Sequence, residues 1–451
     1  MSSSEHVLTK IQEEGIEFIR FELGDMYGIS RSKIIPARHF EAKSSRGIGI
    51  PICQMTTVID GSDFQTNASF RGKIIGSGDA TWWPDMSTFR VLPWCSPATA
   101  TVLIEPTCRG EPVELYPRYI ARKQIERLSN MGLSLLVAHE HEFYAVDRET
   151  GKPFTQDKCL RATVRNYTDP DFTHQLMTDL YKVGIDVEMC DTETGHGQME
   201  ITYKPTFGIK AADNAFHFKT TVKEIAKKHG YTASFMSKPY HDQVGSSAHL
   251  NHSLWDKEGN KNVLSDPGHS TGLSEIGRQW IAGMLHHSRA INLLMAPTVN
   301  CYKRYGYESY VNNQPTWGID NRSCMLRVHV DGPKGTYIEN RSTASGSNPY
   351  LTIAATIAAG IDGIERKLQL PPETTGIAFE SCNSGREKNG TRTPRNLEEA
   401  MEAFNSDEVI SNAFGNDFKE AFFALKSFEI SAHDGQEDDY QTHRKLFFEY
   451  L

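Results

Sequence analysis

The chain has 451 residues, with 48 Lys and Arg against 57 Asp and Glu and a net charge of −9 at pH 7. A hydrophobic content of 38% beside 23% charge, at a mean hydropathy of −0.48, excludes a disordered chain and a small disulfide-stapled scaffold; the length allows more than one core. The basic residues are dispersed and no apolar run approaches the roughly 18 residues of a spanning helix, so neither a nucleic-acid footprint nor a membrane span is expected.

In chain order, a helix over 6–14 precedes strands over 17–23 and 29–36, joined by the turn DMYG. The opening MSSSEHVLTKIQEEG that contains this helix lacks the apolar stretch of a secretory leader. Short strands and Gly/Pro-rich turns run on to VLPW, followed by a strand over 99–106 and the turn CRGEP. At Pro117 the pattern changes to PRYIARKQIERLSNMG, a helix with apolar residues at helical spacing that stops on Gly132. A domain boundary is expected between residues 110 and 117, dividing the chain into residues 1–116 and 117–451. Beyond it, strands over 133–146, 186–193, 198–203, 234–238, 248–254, 324–330 and 336–340 are interspersed with helices over 211–229, 275–294 and 349–368. A helical tail from NLEEAMEAF to KLFFEYL ends the sequence and is free to pack on the core or to reach a neighbouring subunit. The spacing lacks the strict alternation of a doubly wound parallel sheet, and the fold class expected is α+β. The eight cysteines form no C-x-x-C pair and read as reduced thiols of a cytoplasmic protein rather than a disulfide framework or a zinc site.

Chemistry concentrates in a few strands. In LSLLVAHEHEFYAV, Glu140 and Glu142 are two residues apart, which on a strand aims both carboxylates to one side. Glu193 and Glu200 flank the turn TGHG in DTETGHGQMEITY, which brings them together across a hairpin. Like charges so placed need an offset, which either water on an exposed face or a divalent cation supplies. His249 in GSSAHLNHSL and Glu339 in TYIENRS lie in further strand patterns, with Arg341 on the same side as Glu339. Five Glu and one His form a donor set suited to Mg²⁺ or Mn²⁺ rather than zinc. Arg304, Arg322, Arg327 and Arg341 add the cations that a phosphoryl group and an anionic co-substrate require. No P-loop and no kinase-type glycine loop is present. Arg322 and Arg327 have opposite parity, so Arg322 must lie in the preceding loop or a bulge must intervene.

These motifs resemble type I glutamine synthetases and, within that superfamily, the lengsin branch of glutamine-synthetase-like animal proteins. The likeness runs from FIRFELGDMYGISRSK through STFRVLPW to NPYLTIAATIAAGIDGI. It implies a β-grasp N-terminal domain over 1–116, an α+β catalytic domain over 117–451 and a homo-oligomer, a dodecamer of two hexameric rings with sites between adjacent subunits. It implies that Glu142, Glu193 and Glu200 hold one metal and that Glu140, His249 and Glu339 hold the nucleotide-side metal, for two or three Mg²⁺ or Mn²⁺ ions per site. Gly245, Arg304 and Arg341 match glutamate-binding groups, Arg322 and Arg327 phosphate-binding arginines, and Ser253 and Lys334 positions that face ATP. Glu308 matches the flap glutamate that covers the γ-glutamyl phosphate, and Asp60 an aspartate that a neighbouring subunit supplies to the ammonium site. The implied activity is ATP-dependent ligation of ammonium, or of another amine, to glutamate. The family's asparagine before Gly245 is Val244 here, its second histidine Asn251 and a nucleotide-contacting arginine Tyr337, which leaves room for a larger amine. The flap is two residues shorter between Arg304 and Glu308 than in bacterial enzymes, and CNSGREKNGTRTP carries no counterpart of their adenylylated tyrosine. The lengsin branch also implies a competing reading, a catalytically inactive structural or chaperone-like oligomer.

Overall fold

Seven strands of the first part of the chain form one sheet and nine of the remainder form another in the computed structural model, which describes residues 3–51, 56–57, 59, 79–156, 159–305, 314–378, 392–433 and 439–451. In the first sheet, Phe18–Gly24 pairs antiparallel with Ser30–Pro36 and parallel with Thr99–Cys108. The hairpin turn is held by Asp25, whose Oδ1 accepts from the N–H groups of Tyr27 and Ile29, each at 2.9 Å. A short aspartate that bonds its own backbone is the local chemistry that closes such a turn. Thr99–Cys108 also pairs with Asp79–Pro84, which pairs in turn with Ile48–Pro51.

The second sheet runs in the order Trp317–Ile319, Leu326–His329, Tyr337–Asn340, Ala248–Asp256, Leu133–Asp147, Gln198–Tyr203, Val187–Thr192. Its central strand, Leu133–Asp147, also pairs with the short strands Thr206–Phe207 and Tyr231–Ser234. The odd-numbered residues of the central strand face helices: His139 lies 3.4 Å from Thr352 of Pro349–Glu365, and His141 stacks on Phe218 of Ile209–Lys228. The even-numbered residues, Glu140 and Glu142 among them, are thereby left for the opposite face. Mixed strands and helices of this kind make the fold α+β.

One continuous apolar core links the sheets, from Ile19, Phe21 and Leu23 to Val137 and the buried face of Pro349–Glu365. Polar contacts reinforce the join. Asn348 caps the Pro349–Glu365 helix by accepting from Tyr350 N–H and donates to the carbonyl of Asp25 at 2.9 Å. Arg118, in the first turn of Pro117–Asn130, is fully buried and bonds both oxygens of Asp213, with Asp85 and Glu105 completing the shell.

Two elements differ from the sequence expectation. The helix expected over 275–294 is two, Glu275–His286 and Ser288–Met295, because His287 between them is pinned to Asp362 at 2.8 Å and Asp407 at 2.6 Å. The strand expected over 234–238 lies earlier, at Tyr231–Ser234, where it pairs with Tyr144 to Asp147. The next N–H, that of Phe235, bonds the carbonyl of Leu451 instead. The tail packs on this chain's own core, with Leu451 2% exposed. Among the described residues no helix is long and apolar enough to cross a membrane, and Cys95, Cys108, Cys190, Cys301 and Cys324 are free thiols.

Candidate active site

Strand register assembles the acidic cluster. His249 sits opposite Glu140 across one antiparallel pair, Asn251 opposite Glu339 across the next, and Arg327 opposite Glu339 across the third. Glu200 stands opposite Glu142 on the other side of the central strand. Residues from five strands therefore share one face. His249 Nδ1 lies 3.4 Å from Glu140 and 3.3 Å from Glu339, and the ligand atoms of all three come within 4.8 Å of one another. Burial works against charge on Glu140, but the hydrogen bond and charge of His249 outweigh it and hold the carboxyl down to about 2. Burial likewise opposes ionised Glu339, yet His329, His249, Arg341 and Arg327 keep it well below the usual carboxylate range.

The second trio behaves differently. Burial, and then the charge of Glu193, push Glu142 up to about 8; burial and the charges of Glu140 and Glu142 push Glu200 up to about 10. The hydrogen bond between Glu140 and Glu200 acts in opposite directions on the two, lowering Glu140 and raising Glu200. Glu142 is turned toward protein donors, accepting from Gln198 Nε2 and from the backbone N–H of Ser247, both at 3.0 Å. Glu193 stands just past the end of Val187–Thr192, and its carboxylate lies 3.7 Å from the guanidinium of Arg161. Among the described residues, the ligand atoms of Glu142, Glu193 and Glu200 do not gather as closely as those of the first trio. The hairpin that delivers Glu193 and Glu200 depends on Gly197, at φ +72°, where a Cβ would fall 2.5 Å from the carbonyl oxygen of Ala145.

The arginines divide into two kinds. Arg327 donates to Glu339 at 3.2 Å and Arg341 also bonds it, so both guanidinium groups border the first trio. Arg322 lies in the turn before Leu326–His329 and is exposed, which resolves the parity conflict by the loop route. Arg304 is 1% exposed and braces the backbone, donating to the carbonyls of Arg341, Ser342 and Thr343 and to Ser247 Oγ. Gly245 packs against it so closely that a Cβ would lie 2.6 Å from Arg304 Cβ. Ser253 accepts from Trp255 Nε1 at 2.8 Å on the strand that carries His249, and Lys334 is exposed in the short helix Gly332–Gly335. Asp60 and Glu308 lie outside the described residues.

Sequence reasoning passed over Gln198, His329 and Arg161. Gln198 has the parity of Glu200, and His329 that of Arg327, so alternation alone places each on the site face. Arg161 comes from a loop with no such signal.

Residues 114–445 match the family described as glutamine synthetase, catalytic domain. The chain belongs to the glutamine synthetase family. Lengsin of Homo sapiens is 35% identical over 458 residues, covering 100% of this chain and 86% of that protein. The glutamate–isopropylamine ligase of a Pseudomonas species is 31% identical, over 97% of this chain and 96% of the ligase. Among solved structures, a GmaS/ADP complex superposes with a TM-score of 0.84 at 25% identity, covering 97% of this chain and 98% of that one. The positions expected from the sequence to depart from the family pattern lie near these strands. Asn251 donates to Glu140 at 3.4 Å, the carbonyl of Val244 accepts from Tyr144 at 2.7 Å, and Tyr337 stacks on His329 with ring centroids 4.2 Å apart.

Proposed function

We propose that the protein joins ammonia or another amine to the γ-carboxylate of glutamate at the expense of ATP, by way of γ-glutamyl phosphate. The observation that carries this reading is the Glu140, His249 and Glu339 cluster, gathered on one sheet face with Arg327 and Arg341 against Glu339. The donor set fits hard divalent cations: burial and then the neighbouring carboxylates raise Glu142 and Glu200, and a cation bound among them would favour their ionised forms. Glu140, His249 and Glu339 would hold one Mg²⁺ or Mn²⁺ and Glu142, Glu193 and Glu200 another, with two or three ions per site. Bound there, such ions polarise phosphoryl oxygens and neutralise their charge.

The chain's own groups do the rest. Arg327 and Arg322 bind the transferring phosphoryl group, and Ser253 and Lys334 face the nucleotide. Arg341, Arg304 and Gly245 shape the glutamate end. A γ-carboxylate oxygen attacks the terminal phosphorus of ATP and ADP departs; the amine then attacks the acyl carbon, loses a proton near Asp60, and inorganic phosphate leaves. Glu308 covers the acyl phosphate against water. Working sites between subunits of a cytoplasmic ring dodecamer, with Asp60 supplied by a neighbour, belong to the same proposal. That the Pseudomonas relative is a glutamate–isopropylamine ligase supports including larger amines among the nitrogen donors.

A second reading, an inactive structural or chaperone-like oligomer, is favoured by one observation, the 35% identity to lengsin over the whole chain. One assay separates the two. The protein with ATP, glutamate and Mg²⁺ or Mn²⁺ is given ammonium, hydroxylamine and a panel of alkylamines, and phosphate and γ-glutamyl product are measured together. Amine-dependent phosphate release matched by amide or hydroxamate is expected, and Glu339→Gln should reduce it by roughly 10-fold to 100-fold or more. Protein that binds ATP yet forms no amide with any amine would overturn the ligase reading.

A further inference from the structure

Arg161 is not a residue that the proposed reaction uses, yet it reaches into the acidic cluster. Its guanidinium lies 3.7 Å from Glu193 and is hydrogen-bonded through Nε to Asp191, which precedes Glu193 by two residues. The arginine side chain is 59% exposed, whereas those of Asp191 and Glu193 are each 21% exposed. Its backbone is in the left-handed region, at φ +57°, which a side chain with a Cβ adopts only where its surroundings compensate. Glu193 also feels Asp191 and Glu140, and burial raises its carboxyl more than Arg161 lowers it.

These observations bear on why the two trios differ. Glu140, His249 and Glu339 sit on paired strands and are already gathered, while Glu193 stands at a strand end where a loop cation competes for it. We propose that Arg161 is a tethered counter-ion for Glu193: it supplies the positive charge beside this carboxylate, and the second divalent cation binds only by displacing it. The proposal rests on the reading of Glu193 as a metal ligand. Arg161 thereby sets the affinity of the second site without touching the first. Displacement also frees an exposed guanidinium at the rim.

The test is Mn²⁺ binding to the full-length protein without nucleotide, followed by isothermal titration and by the paramagnetic signal of free Mn²⁺. Arg161→Asn removes the charge and keeps a residue that tolerates the left-handed backbone; Arg161→Lys keeps the charge. Arg161→Asn should tighten the weaker Mn²⁺ site about fivefold, the size of one half-exposed ion pair, and leave the tighter site unchanged. Arg161→Lys should stay near wild type. In a Glu193→Gln background, Arg161→Asn should have no effect on the weaker site. If Arg161→Asn leaves that site unchanged or weakens it while Glu193→Gln alone weakens it, the counter-ion role is wrong and the ligand role of Glu193 stands. If Glu193→Gln alone leaves Mn²⁺ binding intact, the ligand reading fails and the counter-ion role fails with it. A metal-free melting temperature for each variant shows whether an altered affinity reflects lost folding.

Discussion

Divalent-cation binding should carry a steep carboxylate-linked pH dependence at one corner of the site and none from carboxylates at the other. At neutral pH the metal-free protein keeps protons on Glu142 and Glu200, whose carboxyls burial and neighbouring anions push to about 8 and about 10. A cation held by both must expel those protons, so the second site gains affinity as pH rises. Each unit that a ligand's pKa stands above the pH costs about 1.4 kcal/mol. Between about pH 6.5 and 8.5, a group near 8 contributes a little over one power of ten and a group near 10 about two, or roughly three together. Glu140 and Glu339 are ionised throughout that range, so their carboxylates add no such slope to the first site. The assay is calorimetric titration with Mg²⁺ or Mn²⁺ in buffers of different ionisation enthalpy, which reads affinity and protons released per ion together. Two classes of site are expected, a weaker one that releases protons and strengthens with pH, and a tighter one whose carboxylates release none. A single class with a flat pH profile and no proton release from these carboxylates would refute the reasoning.

Other perturbations test the scaffold. Burial outweighs Arg20 and lifts Glu22 to about 7 from an ordinary 4.5, so its protonated form stabilises the fold fully below the ordinary value, and that contribution is lost as pH rises through about 7. Glu22→Gln should therefore raise stability at pH 8 by on the order of 3 kcal/mol and change little near pH 4, as read by thermal melts at both values. Arg118→Met leaves Asp213 buried without its partner and should cost about 3–5 kcal/mol in denaturant unfolding; a loss under about 1 kcal/mol would mean that the join between the two sheets does not depend on this network. Gly245→Ala forces a Cβ to within 2.6 Å of Arg304 Cβ and should cost about 1–3 kcal/mol. In the proposed reaction it should also raise KM for glutamate more than KM for ATP, and equal changes in both would argue against a glutamate-side role.

Much of this arrangement was legible in the sequence because strands repeat every two residues. Parity alone brings Glu140 and Glu142 to one face, and the TGHG turn joins the strands that deliver Glu193 and Glu200; the long-range pairing that sets Glu200 opposite Glu142 carries no local signal. The break at His287 was not legible. The segment 275–294 has continuous helical spacing, and the two aspartates that pin its middle arrive from Asp362 and Asp407, far along the chain. The strand at Tyr231–Ser234 is displaced for a similar reason, since it starts opposite the end of Leu133–Asp147 and stops where Phe235 N–H turns to the distant carbonyl of Leu451.

The same distinction separates the site residues into those that backbone pairing positions and those that side-chain competition positions. Glu140, His249, Glu339 and Arg327 occupy consecutive strands, and a register slip of one residue would turn all of a strand's ligands away together, so the apolar pattern of the opposite face fixes them. Arg304 and Glu193 belong to segments that end or leave the sheet. Their side chains go to the best available partner, which for Arg304 is a set of backbone carbonyls and for Glu193 is Arg161. Sequence pattern names such residues by type and neighbourhood but not by destination, because the partner that decides it lies in a loop without periodicity. A cluster built from both kinds has one half ready to bind and one half that must be rearranged by what it binds. Binding at the second corner is thus expected to depend on contacts that the first corner does not make.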